Sequence, residues 1–254
     1  MNCRVFAGLA LAATFLAGGR AHAQEGPSSP EATIAVGDDA IAGPMKLSLE
    51  LDWGLVGRLE ESDSGYFDEE RAGLVLEGGV FFSPMPLFDV GVSYQRTQLG
   101  TEVARPGDVL AANTIHRRLN TIWANVRTYP WRGEKAALFV GLMAGPSWES
   151  SYGHITYPPT GVAGVMQSRS CSASGPAALA LGVTAGADVD LGGGLALLAR
   201  VTGGSHHLSS EPLVGDGGYC GPGAGSAATL DARIGFAYRF DLGSSASPSA
   251  VAAN

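Results

Sequence analysis

The stretch ATLDARIGFAYRF, residues Ala228–Phe240, alternates between large apolar side chains and small or charged ones. One face of a strand built from it would carry Leu230, Ala232, Ile234, Phe236, Tyr238 and Phe240. The opposite face would carry Thr229, Asp231, Arg233, Gly235 and Arg239. A helix, with its period of about 3.6 residues, would mix these two sets, whereas a strand separates them. The stretch therefore predicts a β-strand with one apolar and one charged face.

Seven earlier segments bring the number of predicted strands to eight. One of them, AALFVGLMAG (136–145), is apolar at both sets of positions and gives no assignment of faces. The six that alternate are KLSLELDWGLVG (46–57), AGLVLEGGVFF (72–82), LFDVGVSYQ (87–95), LNTIWANVRTY (119–129), ALALGVTAGADVD (178–190) and LALLARVTG (195–203).

The links between these segments alternate in length. Ser83–Pro86, Pro130–Glu134 and Leu191–Gly194 are short and contain the proline and glycine of tight turns. The long links cover residues 60–71, 100–113, 147–175 and 204–227. Short turns at one end and long loops at the other are typical of an up-and-down barrel inserted from one side of a membrane. We expect the long loops to lie outside the cell.

The apolar faces could point inward, as in a soluble ligand-binding barrel of the lipocalin type, or outward to lipid. The polar faces carry Gly, Ser, Thr and few charges, whereas a solvated exterior carries many. Aromatic residues also occur near the predicted strand ends, where membrane barrels have aromatic girdles. These are Phe81, Phe82, Phe88, Tyr129, Trp131, Trp148, Tyr152, Tyr238 and Phe240. We predict an all-β fold, an eight-stranded antiparallel up-and-down transmembrane β-barrel, with a soluble periplasmic barrel as the alternative.

The composition and the first residues predict an exported protein. The net charge is −8 and there is no run of Lys and Arg, so the chain has no electrostatic footprint for nucleic acid. Arg4, an apolar stretch and Ala21-His22-Ala23 form the pattern of a cleaved signal peptide over residues 1–23. Residues 24–44 would be a flexible lead-in, 45–242 the barrel, and 243–254 a disordered tail. The expected location is the outer membrane of a Gram-negative bacterium.

Two stretches carry a family resemblance. RIGFAYRF (233–240) resembles the recognition signal at the end of bacterial outer-membrane barrels, with Arg233, Gly235, Tyr238 and Phe240 in the signal positions. LNTIWANVRTYP and ALFVGLMAGPSW are similar to paired strands of small barrels such as the transmembrane domain of outer membrane protein A. The matching residues are Asn125, Val126, Gly141 and Gly145. The resemblance implies that the barrel-assembly machinery reads the last strand.

The predicted inward faces carry charges of both signs. They are Glu50, Asp52, Glu77, Arg127, Asp188, Arg200, Asp231, Arg233 and Arg239. An eight-stranded barrel is just wide enough for its own side chains, and buried charges must pair. We expect salt bridges across the lumen and no wide pore; the alternative is a narrow, porin-like channel.

The long links contain two cysteines, Cys171 and Cys220. With the signal peptide and its Cys3 removed, they are an even pair in an exported protein, which indicates a disulfide between the last two long loops. Unpaired exposed thiols are the alternative.

One short segment could carry enzyme chemistry. His207-Leu208-Ser209 resembles the His-x-Ser pair of outer-membrane lipid A deacylases, and Glu211 would supply an acid. The family's following Asn is Ser210 here, and the acid is only two residues away, so ordinary loop residues are the simpler interpretation. We predict no enzyme, cofactor or metal. The expected role is structural or surface interaction (envelope integrity or adhesion) by a monomer in contact with outer-membrane lipid and lipopolysaccharide, with an unknown extracellular ligand of its loops.

Overall fold

The computed structural model describes residues 45–58, 67–69, 72–104, 114–157, 167–216 and 218–243. The predicted signal peptide, the lead-in up to residue 44 and the tail from residue 244 lie outside the described residues. The described part of the chain forms strands β1 to β12. Their bounds are β1 Lys46–Arg58, β2 Phe67–Glu69, β3 Ala72–Met85, β4 Phe88–Ala104, β5 Thr114–Arg132, β6 Ala136–Tyr157, β7 Gln167–Ser174, β8 Ala178–Gly192, β9 Leu195–His207, β10 Val214–Gly215, β11 Gly218–Tyr219 and β12 Ser226–Asp241.

Eight of these strands close into one antiparallel barrel in the order β1, β3, β4, β5, β6, β8, β9, β12. The first and last strands close it, with a register that runs from Lys46 opposite Asp241 to Arg58 opposite Thr229. Closure leaves no unpaired edge among these eight strands, which is what a sheet needs in a membrane. Each of the eight predicted segments corresponds to one of these strands, with only Leu87 outside its strand, so the predicted architecture is confirmed.

The two ends of the barrel differ. At one end, called the turn end, β3–β4, β5–β6 and β8–β9 connect tightly, and β1 begins beside the end of β12. Gly193 and Gly194 connect β8 to β9 with φ of 63° and 84°, a conformation that side chains rarely adopt. At the opposite end, called the loop end, strands continue into the predicted long links, and β4 reaches Ala104. β6 reaches Tyr157 and pairs there with β7, and β9 reaches His207.

The strands are therefore longer than the hydrophobic pattern indicated. The sequence segments ended where large apolar residues stopped alternating, but backbone pairing continues with polar side chains. Ser147, Glu149 and Ser151 alternate inward along β6 beyond the apolar part of that strand. Backbone pairing and polar side-chain contacts continue the ladder there, so strand length cannot be measured from hydropathy.

The barrel is apolar outside and polar inside. Leu55, Leu74 and Leu142 on the outer face are 65%, 63% and 67% exposed, whereas Asp52 and Glu77 on the inner face are completely buried. The described residues contain no helix of the length and apolarity that crossing a bilayer requires. Two aromatic residues assigned to the girdles are inside instead: Phe81 is 0% and Tyr129 4% exposed. Each shares the strand parity of an inward charge, Glu77 or Arg127, and strand parity determines the face.

Candidate functional site

The centre of the lumen holds a network of buried ion pairs. Arg233 of β12 contacts Glu77 of β3, lies 3.1 Å (Nη1 to Oδ1) from Asp52 of β1, and lies 2.7 Å (Nε to Oδ1) from Asp231. Arg200 of β9 contacts Asp52 and lies 3.3 Å from Glu77 (Nη1 to Oε1). The same two carboxylates are thus shared by two guanidinium groups, a connected arrangement that offsets the cost of burying these charges.

A second part of the network lies closer to the turn end. Arg127 Nη1 of β5 donates to both carboxylate oxygens of Glu50 at 2.8 and 2.9 Å. Its guanidinium carbon lies 3.6 Å from the ring centroid of Phe81 and 5.0 Å from that of Phe139. The two rings stabilise the buried guanidinium through cation–π contacts, in addition to its ion pair with Glu50. Phe139 explains why β6 is apolar at both sets of positions: its inner face packs against Arg127.

The charged side chains at the turn end of the lumen also have partners. Arg239 Nη2 lies 2.9 Å from Asp188 Oδ2, and Tyr129 donates to Asp89. The structure places eight of the nine predicted lumen charges in the buried interior, while the Arg239 side chain is 22% exposed. Asp89 was absent from the predicted set although its parity already put it opposite Phe88.

Nearer the loop end, large aromatic and apolar side chains fill the lumen. Trp123 is 1% exposed, and its indole nitrogen donates to Gln95. His206 is 2% exposed and lies 3.3 Å from Ser147 Oγ and 3.4 Å from Thr229 Oγ1. An apolar cluster of Leu99, Leu119, Leu208 and Ala227 follows. Trp123 shares the strand parity of the predicted inward Arg127. His206 shares that of Arg200, but it lies in the link 204–227 that was read as a loop.

The chain itself then covers the mouth at the loop end. The segment Cys220–Gly225, here called the mouth cap, carries backbone groups that bond to inward side chains of β5 and β6. Arg117 Nη2 donates to the Pro222 carbonyl at 2.7 Å, and Ser151 Oγ donates to the Cys220 carbonyl at 2.8 Å. The Ala224 N–H donates to Glu149 Oε2 at 2.8 Å. Arg117 and Glu149 were missed because they lie next to or inside links that were read as loops.

Glu149 is the central polar group under the mouth cap. It lies beyond the apolar part of β6, and its carboxylate is 3.5 Å from Arg117 Nε. Burial raises the pKa of Glu149, while Arg117 and the hydrogen bond from Ala224 oppose that shift. Glu149 is only 2% exposed, so its carboxylate is held away from bulk water beneath the mouth cap.

A disulfide fixes one end of the mouth cap. Cys171 of β7 and Cys220 are bonded, with their Cα atoms 5.4 Å apart. Both are buried with Ala173 and Leu213 in a small apolar cluster. The bond joins the two loop-end extensions that the sequence placed in the third and fourth long links.

The residues considered for catalysis do not form a triad in the structure. His207 is exposed at the end of β9, and Ser209 follows in an irregular segment. The Ser209 hydroxyl accepts a hydrogen bond from the Glu211 N–H at 3.1 Å, which is a local turn contact. Among the described residues, no group of three His, Cys, Asp or Glu side chains is arranged to hold a metal ion.

The four residues of the assembly-signal motif divide between the two faces of β12. Arg233 is buried in the lumen network. Gly235 lies against β1, where a Cβ atom would collide with the Leu51 carbonyl oxygen and with Asp52. Tyr238 and Phe240 are exposed on the outer face, with ring centroids 4.7 Å apart in an edge-to-face contact.

No family model and no curated relative matches the sequence. Among solved structures, the chain is similar to Neisserial surface protein A at 10% identity, with 78% of this chain and 99% of that one covered and a TM-score of 0.46. It is similar to Ail, the attachment invasion locus protein of Yersinia pestis, at 18% identity, with coverage of 79% and 100% and a TM-score of 0.38. A third structure is a major outer membrane protein from Thermus thermophilus, at 16% identity, with coverage of 78% and 100% and a TM-score of 0.44.

The chain's own geometry defines its class. A closed antiparallel barrel with an apolar exterior and a charged interior satisfies its backbone in lipid and is a transmembrane β-barrel. Barrels of this construction belong to the outer membrane, so the chain is a small outer-membrane barrel in a lipid environment.

Proposed function

We propose that this barrel has a structural or surface-interaction role in the outer membrane, such as envelope integrity or adhesion, and conducts no ions. The observation that carries the proposal is the filled lumen. From the turn end to the loop end it holds paired charges, then Trp123 and His206, then an apolar cluster, and finally the mouth cap. A channel needs a continuous water-filled path, which this succession of buried groups opposes.

The loop end provides the surface for interaction. The hairpin β10–β11 exposes Val214 (67%) and Tyr219 (49%), and a backbone bond from Ser172 to Asp216 joins it to β7. The disulfide-bonded Cys220 directly follows Tyr219, the last residue of this hairpin. A loop held in one conformation loses less entropy when it binds, which favours a role in contact with other molecules outside the cell.

Conductance in planar lipid bilayers tests the closed lumen. We expect no steady conductance from the refolded full chain, with a porin inserted in the same bilayer as the positive control. Large steady channels would contradict the proposal and favour the narrow-channel alternative.

The proposal also assigns no enzymatic activity. The lipid A mass profile of cells that express the wild-type chain should match that of cells that express His207→Ala. Loss of an acyl chain with the wild-type chain alone would contradict this part and support the deacylase-like alternative.

Assembly of the barrel would depend on β12 as the strand read by the assembly machinery. Phe240→Ala should lower the amount of folded protein in the outer membrane. Phe236→Ala is the matched control, because it removes an outward ring from the same strand at a position outside the motif. An equal effect of both variants would show that only packing is lost.

A further inference from the structure

The outer face of β4, β5 and β6 changes character towards the loop end. The exposed apolar side chains of the outer face are here called the apolar belt. On these three strands it includes Val92, Ile122 and Leu142. The belt ends at Tyr94 and Trp148, whose ring centroids lie 6.5 Å apart. Aromatic side chains of this kind mark the level of the lipid headgroups.

Two arginines lie beside and directly beyond this aromatic pair. Arg96 lies opposite Asn120, and Asn120 lies opposite Trp148, so Arg96 and Trp148 belong to one row across three strands. Arg118 lies opposite Gln98, one row further towards the loop end. The arginines are therefore diagonal neighbours on the same face, a relation that separates residues by roughly 7–8 Å.

Arg118 is held in position by an aromatic side chain. Its Nη2 donates to the Tyr152 hydroxyl at 2.6 Å, and its guanidinium carbon lies 4.1 Å from the centroid of that ring. The Tyr152 ring stacks in turn on His116, at 4.9 Å between centroids. These contacts orient the guanidinium without neutralising its charge.

Arg96 is exposed, and among the described residues neither arginine is in a salt bridge with a carboxylate. Two cations thus remain at the height where a bilayer has its anionic groups. A planar guanidinium binds a phosphate through two parallel hydrogen bonds, which makes arginine the fitting partner.

We infer that Arg96 and Arg118 bind a phosphate group of the phosphorylated glycolipid of the outer leaflet, with Tyr94 and Trp148 packed against the same lipid. A membrane lipid fits better than a soluble polyanion because the arginines adjoin the apolar belt directly. The inference rests on the proposed orientation, with the loop end outside the cell, but not on the closed lumen. A conductance measurement that refuted the closed lumen would therefore leave this inference standing, and the lipid titration below tests it independently.

The test is a titration of the refolded full chain in detergent micelles with lipid A that carries both phosphates, followed by native mass spectrometry. The double variant Arg96→Gln/Arg118→Gln should bind lipid A roughly ten- to thirtyfold more weakly, since it removes two cations that face the anionic lipid surface. The matched control is Arg132→Gln, which removes an exposed arginine from the turn end of the same strand β5. It should leave binding unchanged.

Two further arms make the result decisive. Lipid A without phosphates should bind the wild-type chain as weakly as phosphorylated lipid A binds the double variant, and Arg96→Lys/Arg118→Lys should bind with intermediate affinity. Heat-modifiable gel mobility verifies that each variant is folded. Equal binding of phosphorylated and dephosphorylated lipid A, an equal loss in Arg132→Gln, or loss of binding on addition of EDTA would overturn the inference. The EDTA result would assign binding to bridging divalent cations.

Discussion

Removal of Arg233 should destabilise the barrel more than any change to a surface charge. Its guanidinium is fully buried and interacts with Asp52, Glu77 and Asp231, and its Nη2 donates to Thr202 Oγ1 at 2.6 Å. Replacement by methionine keeps most of the volume but leaves these carboxylates with one cation fewer.

The size of the effect follows from the remaining contacts. Arg200 still contacts Asp52 and Glu77 in Arg233→Met, whereas Asp231 keeps only a hydrogen bond from Gln95 Nε2 at 3.3 Å. Loss of one partner from a buried ion pair costs about 3–5 kcal/mol, because the other charge stays buried without compensation. We expect the free energy of unfolding to fall by that amount.

The assay is urea unfolding in lipid vesicles, followed by the heat-modifiable mobility of the folded barrel. The control is Lys46→Met, which breaks an exposed pair with Asp241 at 3.7 Å and should cost about 0–1 kcal/mol. The double variant Arg233→Met/Asp231→Asn should lose less stability than Arg233→Met alone, since it also removes the most isolated carboxylate. A loss below about 1 kcal/mol in Arg233→Met would refute the reasoning.

The remaining predictions concern the contact between β1 and β12, the disulfide and the outer face of the barrel. Gly235→Ala should lower the free energy of unfolding by about 1–3 kcal/mol, because the added methyl group overpacks the β1–β12 contact. The control Ala237→Gly, on the same face of β12, should not produce a clash. Equal urea midpoints for the wild type and Gly235→Ala would contradict this prediction. The double variant Cys171→Ser/Cys220→Ser removes a cross-link between residues 49 apart in sequence and should lower the free energy of unfolding by roughly 4 kcal/mol in the chain-entropy model. Thiol labelling of the unreduced, denatured mature protein should find no free thiol. A labelled cysteine would show that the bond is absent. Leu51→Arg, midway along the outer face of β1, should lower the free energy of unfolding in vesicles by about 2–4 kcal/mol. Leu47→Arg, near the turn end, should lower it by only about 0–1 kcal/mol. Similar small losses in both variants would mean that this face does not contact lipid.

Strand identity and face could be predicted from the sequence because both follow from a period of two. The alternation in Ala228–Phe240 correctly put Arg233 inside and Phe236 outside. Where both sets of positions are apolar the rule gives no answer, as in β6, because Phe139 packs inward on Arg127. Pairing partners depend on register between strands distant in sequence, so no local pattern shows that Arg233 contacts Glu77.

The loop end was less predictable for a different reason. Arg117 and Glu149 contact the mouth cap on strand extensions that carry polar side chains, so no hydrophobic signal indicated strands there. The even cysteine count did indicate the Cys171–Cys220 bond, since that inference needs only the compartment and the number of thiols. That the segment after Cys220 folds over the lumen depends on tertiary contacts that composition does not encode.

The central claim is that lipid contacts the outer face while the inner face is a packed lumen, and two tryptophans report on these faces separately. Trp53 is 44% exposed on the outer face of β1, and Trp123 is 1% exposed inside the barrel. Single-tryptophan variants, with the other three replaced by phenylalanine, should be reconstituted in vesicles whose lipids carry bromine on the acyl chains. Strong quenching of Trp53 fluorescence with little quenching of Trp123 is the predicted result. Quenching of Trp123 by brominated lipid, together with quenching of Trp53 by aqueous iodide alone, would contradict the account.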